Sequence, residues 1–218
     1  MALPVPDPLS GASHLRPRAS VPIALIAIAL CGCSINLGSL SSDADHQTPP
    51  QAAPSGTDAS EAQAITASGE ALVRSGKTDD ALAEFNKAIA LDPNNAEALY
   101  NRGLLHQNDQ QHQSAIDDFT AANGLTPQRA DPLLARAISY LALDKAKEAA
   151  SDLDEAVQAD PQNARIWTTR GLAYERLGDK TRAAGSYARA INIRPKDEAA
   201  RSGFTRVGGK PGQSYDTF

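Results

Sequence analysis

The sequence predicts an all-α solenoid of four stacked helical hairpins, and three observations carry that prediction. From Ala62 to Asp197 the chain divides without a gap into four units of 34 residues: Ala62–Asn95, Ala96–Arg129, Ala130–Asn163 and Ala164–Asp197. Each unit has a proline at its thirty-second place: Pro93, Pro127, Pro161 and Pro195. Each also repeats one order of small and large residues. Place 8 is Gly69, Gly103, Ala137 and Gly171, and place 24 is Phe85, Phe119, Leu153 and Tyr187. Places 20 (Ala81, Ala115, Ala149, Ala183) and 27 (Ala88, Ala122, Ala156, Ala190) are always alanine. A fixed period of this length marks units that bury their apolar faces by stacking on one another.

The first element in chain order lies outside the pattern. Val21–Leu30, VPIALIAIAL, is an apolar run of ten residues preceded by Arg16 and Arg18 and followed by CGCS. Such a run is too short to span a bilayer and has the length of a signal-peptide core. The stretch from Leu30 to Cys33 resembles a bacterial lipoprotein signal, in which a small residue precedes the cysteine that is acylated. Gly32 fits that place before Cys33, whereas Leu30 disqualifies Cys31. The resemblance implies a signal peptide over residues 1–32 and lipidation of Cys33. With Ser34 rather than aspartate following, it also implies export to the outer membrane, facing the periplasm. Cys31 and the long proline-rich region before the apolar run depart from the usual signal, and the length of that region is compatible with a start codon downstream of Met1 as well as with Met1 itself. Cleavage at Cys33 leaves no second cysteine for a disulfide, and two or more acyl chains anchor stably at about 0.8 kcal/mol per buried methylene. Residues 33–61, rich in Ser, Pro, Ala, Gln and Asp, then read as the acylated cysteine and a disordered tether.

In each repeated unit the proline removes an amide donor and clashes with the preceding turn, so it ends the second helix. Gly76 and Gly178 fall at the turn between the two helices, where a left-handed residue closes the first. Small residues at places 8, 20 and 27 let helix backbones approach. Large ones fill the space beside them: Leu99, Leu133 and Trp167 at place 4, and Leu72, Tyr140 and Tyr174 at place 11. Trp167 is therefore read as core. Residues 198–207 begin a fifth first-helix and stop, which reads as a capping helix. Residues 208–218, GGKPGQSYDTF, read as a disordered tail.

This register, with WTTRGLAYERLGDKTRAAGSYARAINIRP at 167–195, resembles the tetratricopeptide repeat (TPR) family over residues 62–197. The resemblance implies a right-handed superhelical solenoid whose first helices line a concave groove. Places 2, 5, 6, 9, 12 and 13 of that family face the groove and hold an extended peptide or a helix. On this chain they give Tyr100, Asn101, Leu104 and Gln107 from unit two, and Leu134, Ile138 and Leu141 from unit three. Unit four contributes Thr168, Leu172, Glu175 and Arg176. The middle of that surface is apolar, with a polar rim, which suits a peptide or an amphipathic helix. The charged clamp by which some TPR domains capture a C-terminal carboxylate is not expected, because Thr66 and Glu70 stand where lysine and asparagine would be and only Asn101 matches.

Charged residues recur too. Place 7 holds Arg102, Arg136 and Arg170 but Ser68 in unit one, while place 23 holds Glu84, Asp118 and Asp152 but Ser186 in unit four. The opposite vacancies predict ion pairs across each stacking interface, 18 residues apart: Glu84 with Arg102, Asp118 with Arg136, Asp152 with Arg170. A planar guanidinium suits the place because it binds a carboxylate through two hydrogen bonds while its stem packs on apolar neighbours.

A net charge of −5 gives no basic footprint for nucleic acid. Catalysis finds no support: there is no Gly-x-Ser-x-Gly elbow, phosphate loop or His-Glu-x-x-His. Of the four histidines, His14 and His46 lie in the signal and tether, and His106 and His112 occupy packing places. A metal site needs more ligands than that pair offers, so no metal, cofactor or catalytic residue is expected. The expected function is that of a lipid-anchored periplasmic adaptor, which binds segments of cell-envelope proteins in its groove and supports their assembly. The alternative is a structural subunit that self-associates or is built into one larger envelope complex.

Overall fold

The computed structural model describes residues 56–210. Cys33, the signal peptide, the tether up to residue 55 and residues 211–218 of the tail lie outside them. Among the described residues there are nine helices and no strand: α1 (Gly56–Arg74), α2 (Thr78–Leu91), α3 (Ala96–Asn108), α4 (His112–Leu125), α5 (Ala130–Ala142), α6 (Ala146–Ala159), α7 (Ala164–Arg176), α8 (Lys180–Ile193) and α9 (Glu198–Arg206). None of them is long and apolar enough to cross a membrane.

The prolines act as the sequence requires. Helices α2, α4, α6 and α8 each stop two residues before their proline, and the intervening residue (Asp92, Thr126, Asp160, Arg194) leaves the helical region, with φ between −131° and −138° and ψ between 64° and 96°. A residue before proline is pushed out of that region. The amide of each of these residues still bonds the carbonyl of the place 27 alanine at 2.8–3.0 Å, closing the last turn. The next helix then starts on a side-chain cap in three of four cases: Asn95 accepts from the Ala98 amide, Asn163 from Arg165 and Asp197 from Ala200. The turns within hairpins have a left-handed residue at place 15. Gly76 and Gly178 take φ of 77° and 78°, and the equivalent Gln110 and Asp144 are held at 62° and 57° without the freedom of glycine.

Hairpin packing explains places 8 and 24. A Cβ on Gly69 would lie 2.6 Å from the Phe85 ring, on Gly103 2.6 Å from Phe119 and on Gly171 2.5 Å from Tyr187. Unit three has a smaller side chain, Leu153, at place 24, and there place 8 carries a methyl, Ala137. All eight alanines at places 20 and 27 are fully buried. Trp167, 6% exposed, lies in the core with its indole N–H donated to the Pro161 carbonyl.

Each odd-numbered helix touches the next odd-numbered one, whereas no even-numbered helix touches another. The odd helices therefore form the inner wall of the solenoid and the even helices its outer layer. One boundary differs from expectation. Helix α1 begins at Gly56, so residues 56–61 of the expected tether are helical; they contain no proline and place Asp58 in the first turn. Helix α9 ends at Arg206 on a left-handed Gly208, φ 80°, so the cap has nine residues where α7 has 13.

Candidate functional site

The predicted arginine pairs are corrected by the structure. Arg102 donates through Nε and Nη2 to Asp118 of its own unit at 2.9 and 2.6 Å, and Arg136 does the same to Asp152 at 2.8 and 2.7 Å. The spacing is 16 residues, not 18, and Glu84 pairs with Lys87 at 2.5 Å rather than with Arg102. The third guanidinium nitrogen is what crosses the interface. Arg102 Nη1 donates to Asn86 and Arg136 Nη1 to Thr120, the place 25 residues of the preceding units. At the third join the roles exchange. Arg170 bonds Ser186 at place 23 of its own unit and takes its carboxylate from Asp154 at place 25 of unit three, so the expected Asp152–Arg170 pair is absent. In unit one place 7 is Ser68, so no such bridge forms there.

These bridges are structural. Hydrogen bonding to Asp118 and Asp152 raises the pKa of Arg102 and Arg136 above the ordinary arginine value. Arg170 is 2% exposed and lies over the Trp167 and Tyr174 rings, 5.5 and 4.8 Å from their centroids. His106 Nε2 stands 3.9 Å from Asp118. Among the described residues no group of His, Cys, Asp and Glu is arranged to hold a metal ion.

The residues expected to face the groove lie on the odd-numbered helices of the inner wall and differ in how free they are. Several are tied to the neighbouring wall helix. Asn101 donates to Glu70 at 3.0 Å, across α3 and α1. Gln107 donates to the Ala135 carbonyl and the Ser139 hydroxyl, across α3 and α5. Thr168 Oγ1 lies 3.1 Å from Asp197, and Arg176 donates to the Leu141 carbonyl. Glu175 receives Arg206 and the Tyr187 hydroxyl. The Arg206 guanidinium holds the Glu175 carboxyl below the usual range, and burial pushes the Tyr187 phenol up. Asn101 and Glu70, two of the places a carboxylate clamp would use, are thus spent on each other.

The expected apolar middle is narrower than the sequence implied. Leu134 and Leu141 are only 6% and 5% exposed, because α5 is flanked on the wall by both α3 and α7. The accessible apolar row is place 9: Leu104 is 36% exposed, and Ile138 and Leu172 are half-buried. Beside it Tyr100, its ring 5.8 Å from Phe119, helps to wall a cleft of about 130 Å³ with Leu104, Gln107, Leu134 and Ile138. Two further lining residues, Asp131 and Arg165, were absent from the predicted set although both occupy place 2, a groove position. A second recess of about 450 Å³ opens where the extended start of α1 overhangs the α2–α3 and α4–α5 loops. Its walls are mainly polar, with Gln63, Asp92, Asn94, Glu97 and Arg129.

Comparison with known proteins agrees with this architecture. Family profiles described as TPR repeat or tetratricopeptide repeat match residues 69–110, 96–129 and 134–198. No curated protein matches the chain. Among solved structures, the MamA protein is 22% identical, with 70% of this chain and 82% of that one covered and a TM-score of 0.63. YrrB, described as a TPR protein with an unusual peptide-binding site, is 20% identical over 66% of this chain and 74% of its own, with a TM-score of 0.61. The first TPR of Spaghetti (RPAP3), bound to the HSP90 peptide SRMEEVD, is 24% identical over 51% of this chain and 89% of its own, with a TM-score of 0.51. The chain carries tetratricopeptide repeats across residues 69–129 and 134–198, and its fold is a TPR solenoid.

Proposed function

We propose that this chain is a lipid-anchored adaptor of the bacterial cell envelope, held to the membrane through Cys33 and receiving a segment of a partner protein on its inner wall. The observation that carries the reading is the place 9 row. Leu104, Ile138 and Leu172 leave apolar surface accessible along three successive wall helices, while Gln107 and Arg176 beside them are bonded within the wall. An apolar strip with satisfied polar flanks suits a peptide or helix that brings aliphatic side chains. The lipoprotein-like segment at residues 30–33 supports the envelope location. The likeness in fold to proteins whose descriptions name peptide binding supports the mode. No catalytic role is proposed.

The test is crosslinking in membranes followed by capture of the chain, wild type beside Ile138→Asp. The carboxylate placed in the row should remove captured envelope proteins while leaving the helical signal intact. An unchanged set of captured proteins refutes the inner-wall reading.

A further inference from the structure

The described residues divide sharply by charge. Residues 56–163 carry 18 Asp and Glu against eight Lys and Arg, and residues 164–210 carry four against 11. The net charge is therefore −10 over the first three units and +7 over unit four and the cap. The bridging pairs do not account for this. In the C-terminal part Arg165, Lys180, Arg194, Lys196 and Arg201 are exposed and have no ion-pair partner among the described residues. In the N-terminal part Glu61, Asp79, Asp80, Glu97 and Glu148 are exposed and likewise without an ion-pair partner among the described residues.

We propose that a second copy of this chain docks its acidic units against the basic C-terminal end of the first. Three points favour a second copy over another anionic partner. The complementary surface is carried by the same molecule, so any two copies present it to each other. The C-terminal end of the solenoid is polar, with Arg201, Ser202 and Thr205 on α9, and the N-terminal end carries the exposed carboxylates Glu61, Asp79 and Asp80 beside one exposed aliphatic side chain, Val73. Contact between them is thus steered by charge rather than by apolar burial. The inner-wall strip is not required for it, so this association stands apart from partner capture. Exposed charges are screened within about 8 Å at physiological salt, so the association is reversible and falls steeply with ionic strength.

Sedimentation velocity on the full chain carrying Cys33→Ser tests this. At about 20 mM salt the mass exceeds that of the monomer, and at about 500 mM it returns to it, the apparent Kd rising at least about tenfold. Arg194→Glu/Lys196→Glu/Arg201→Glu is monomeric at both, as is Glu61→Lys/Asp80→Lys/Glu97→Lys. An equimolar mixture of the two associates again, because each supplies the end the other has lost. Should a reversal reduce the helical signal, the neutral set Arg194→Gln/Lys196→Gln/Arg201→Gln is measured in its place and is also monomeric. A wild-type monomer at low salt overturns the proposal, as does association that survives both reversals or a mixture that stays monomeric. Association abolished by Ile138→Asp overturns it as well, since the contact would then lie on the inner wall.

Discussion

The arginine bridge at the join of units two and three gives the most direct test of how these hairpins are held in register. Arg136 makes two charge-assisted bonds to Asp152 and a third bond to Thr120. Charge-assisted bonds contribute about 1.5–3 kcal/mol each and a neutral one about 1 kcal/mol when buried. The side chains here are 15% and 9% exposed, so some of this is screened. Truncating the arginine also leaves Asp152 poorly compensated. Arg136→Met should therefore cost about 2–3 kcal/mol, a fall of roughly 6–10 °C in Tm for a unit of this size. The decisive assay is a pair of double-mutant cycles read by urea denaturation, with Trp167, the only tryptophan, as fluorescence reporter. Arg136/Asp152 should show coupling of about 1.5–2.5 kcal/mol, whereas Arg136/Asp118 should be additive to within about 0.5 kcal/mol. Coupling in the second cycle and not the first would restore the pairing across the interface and refute the bridge described here.

Two other perturbations follow from the same packing. Gly103→Ala puts a methyl 2.6 Å from the fully buried Phe119 ring and should cost about 1–3 kcal/mol in thermal unfolding. Combined with Phe119→Leu it should cost less than the two single changes summed, because unit three already uses Ala137 with Leu153; strict additivity would break that account. Lowering pH should loosen the cap. Glu175 has a folded pKa below its unfolded value because of Arg206, so its contribution is complete above the ordinary carboxylate range of about 4.3. It is lost as pH falls through the folded value. The fall in Tm between about pH 5 and 3 should be smaller in Glu175→Gln than in wild type, and equal slopes would count against the contact.

The solenoid was legible because its rules are local and repeated four times. Proline, the turn residue at place 15 and the pairing of places 8 and 24 each act within one hairpin. The side-chain partners of Arg102 and Arg136 were not legible, for a geometric reason. Places 23 and 25 lie about 200° apart around the second helix, so one faces the arginine of its own unit and the other that of the next. Spacing alone does not say which. The vacancy at Ser186 then pointed to the wrong one, because the missing carboxylate is supplied by Asp154. On the inner wall, the expectation of accessible apolar surface at Leu134 and Leu141 was too generous. Leu134 and Leu141 share the helical stripe of Ile138, and only the lateral closeness of three wall helices buries two of them and leaves the third accessible.

The bridges occur at three joins and at no fourth. On the last second-helix the bridging place is Ala188, and the place facing it on α9 is Phe204 rather than arginine. Each internal join thus links an arginine to acceptors on both sides, with the roles exchanged at the third, and the terminal join is a stopper. Duplicating unit three in place would lengthen the array by a hairpin that finds its guanidinium and both acceptors waiting. Appending the same hairpin after α8 would keep the pair within its own unit but meet Ala188 where the other joins have an acceptor, so a hairpin added at that end would be tied to its neighbour by one bond fewer.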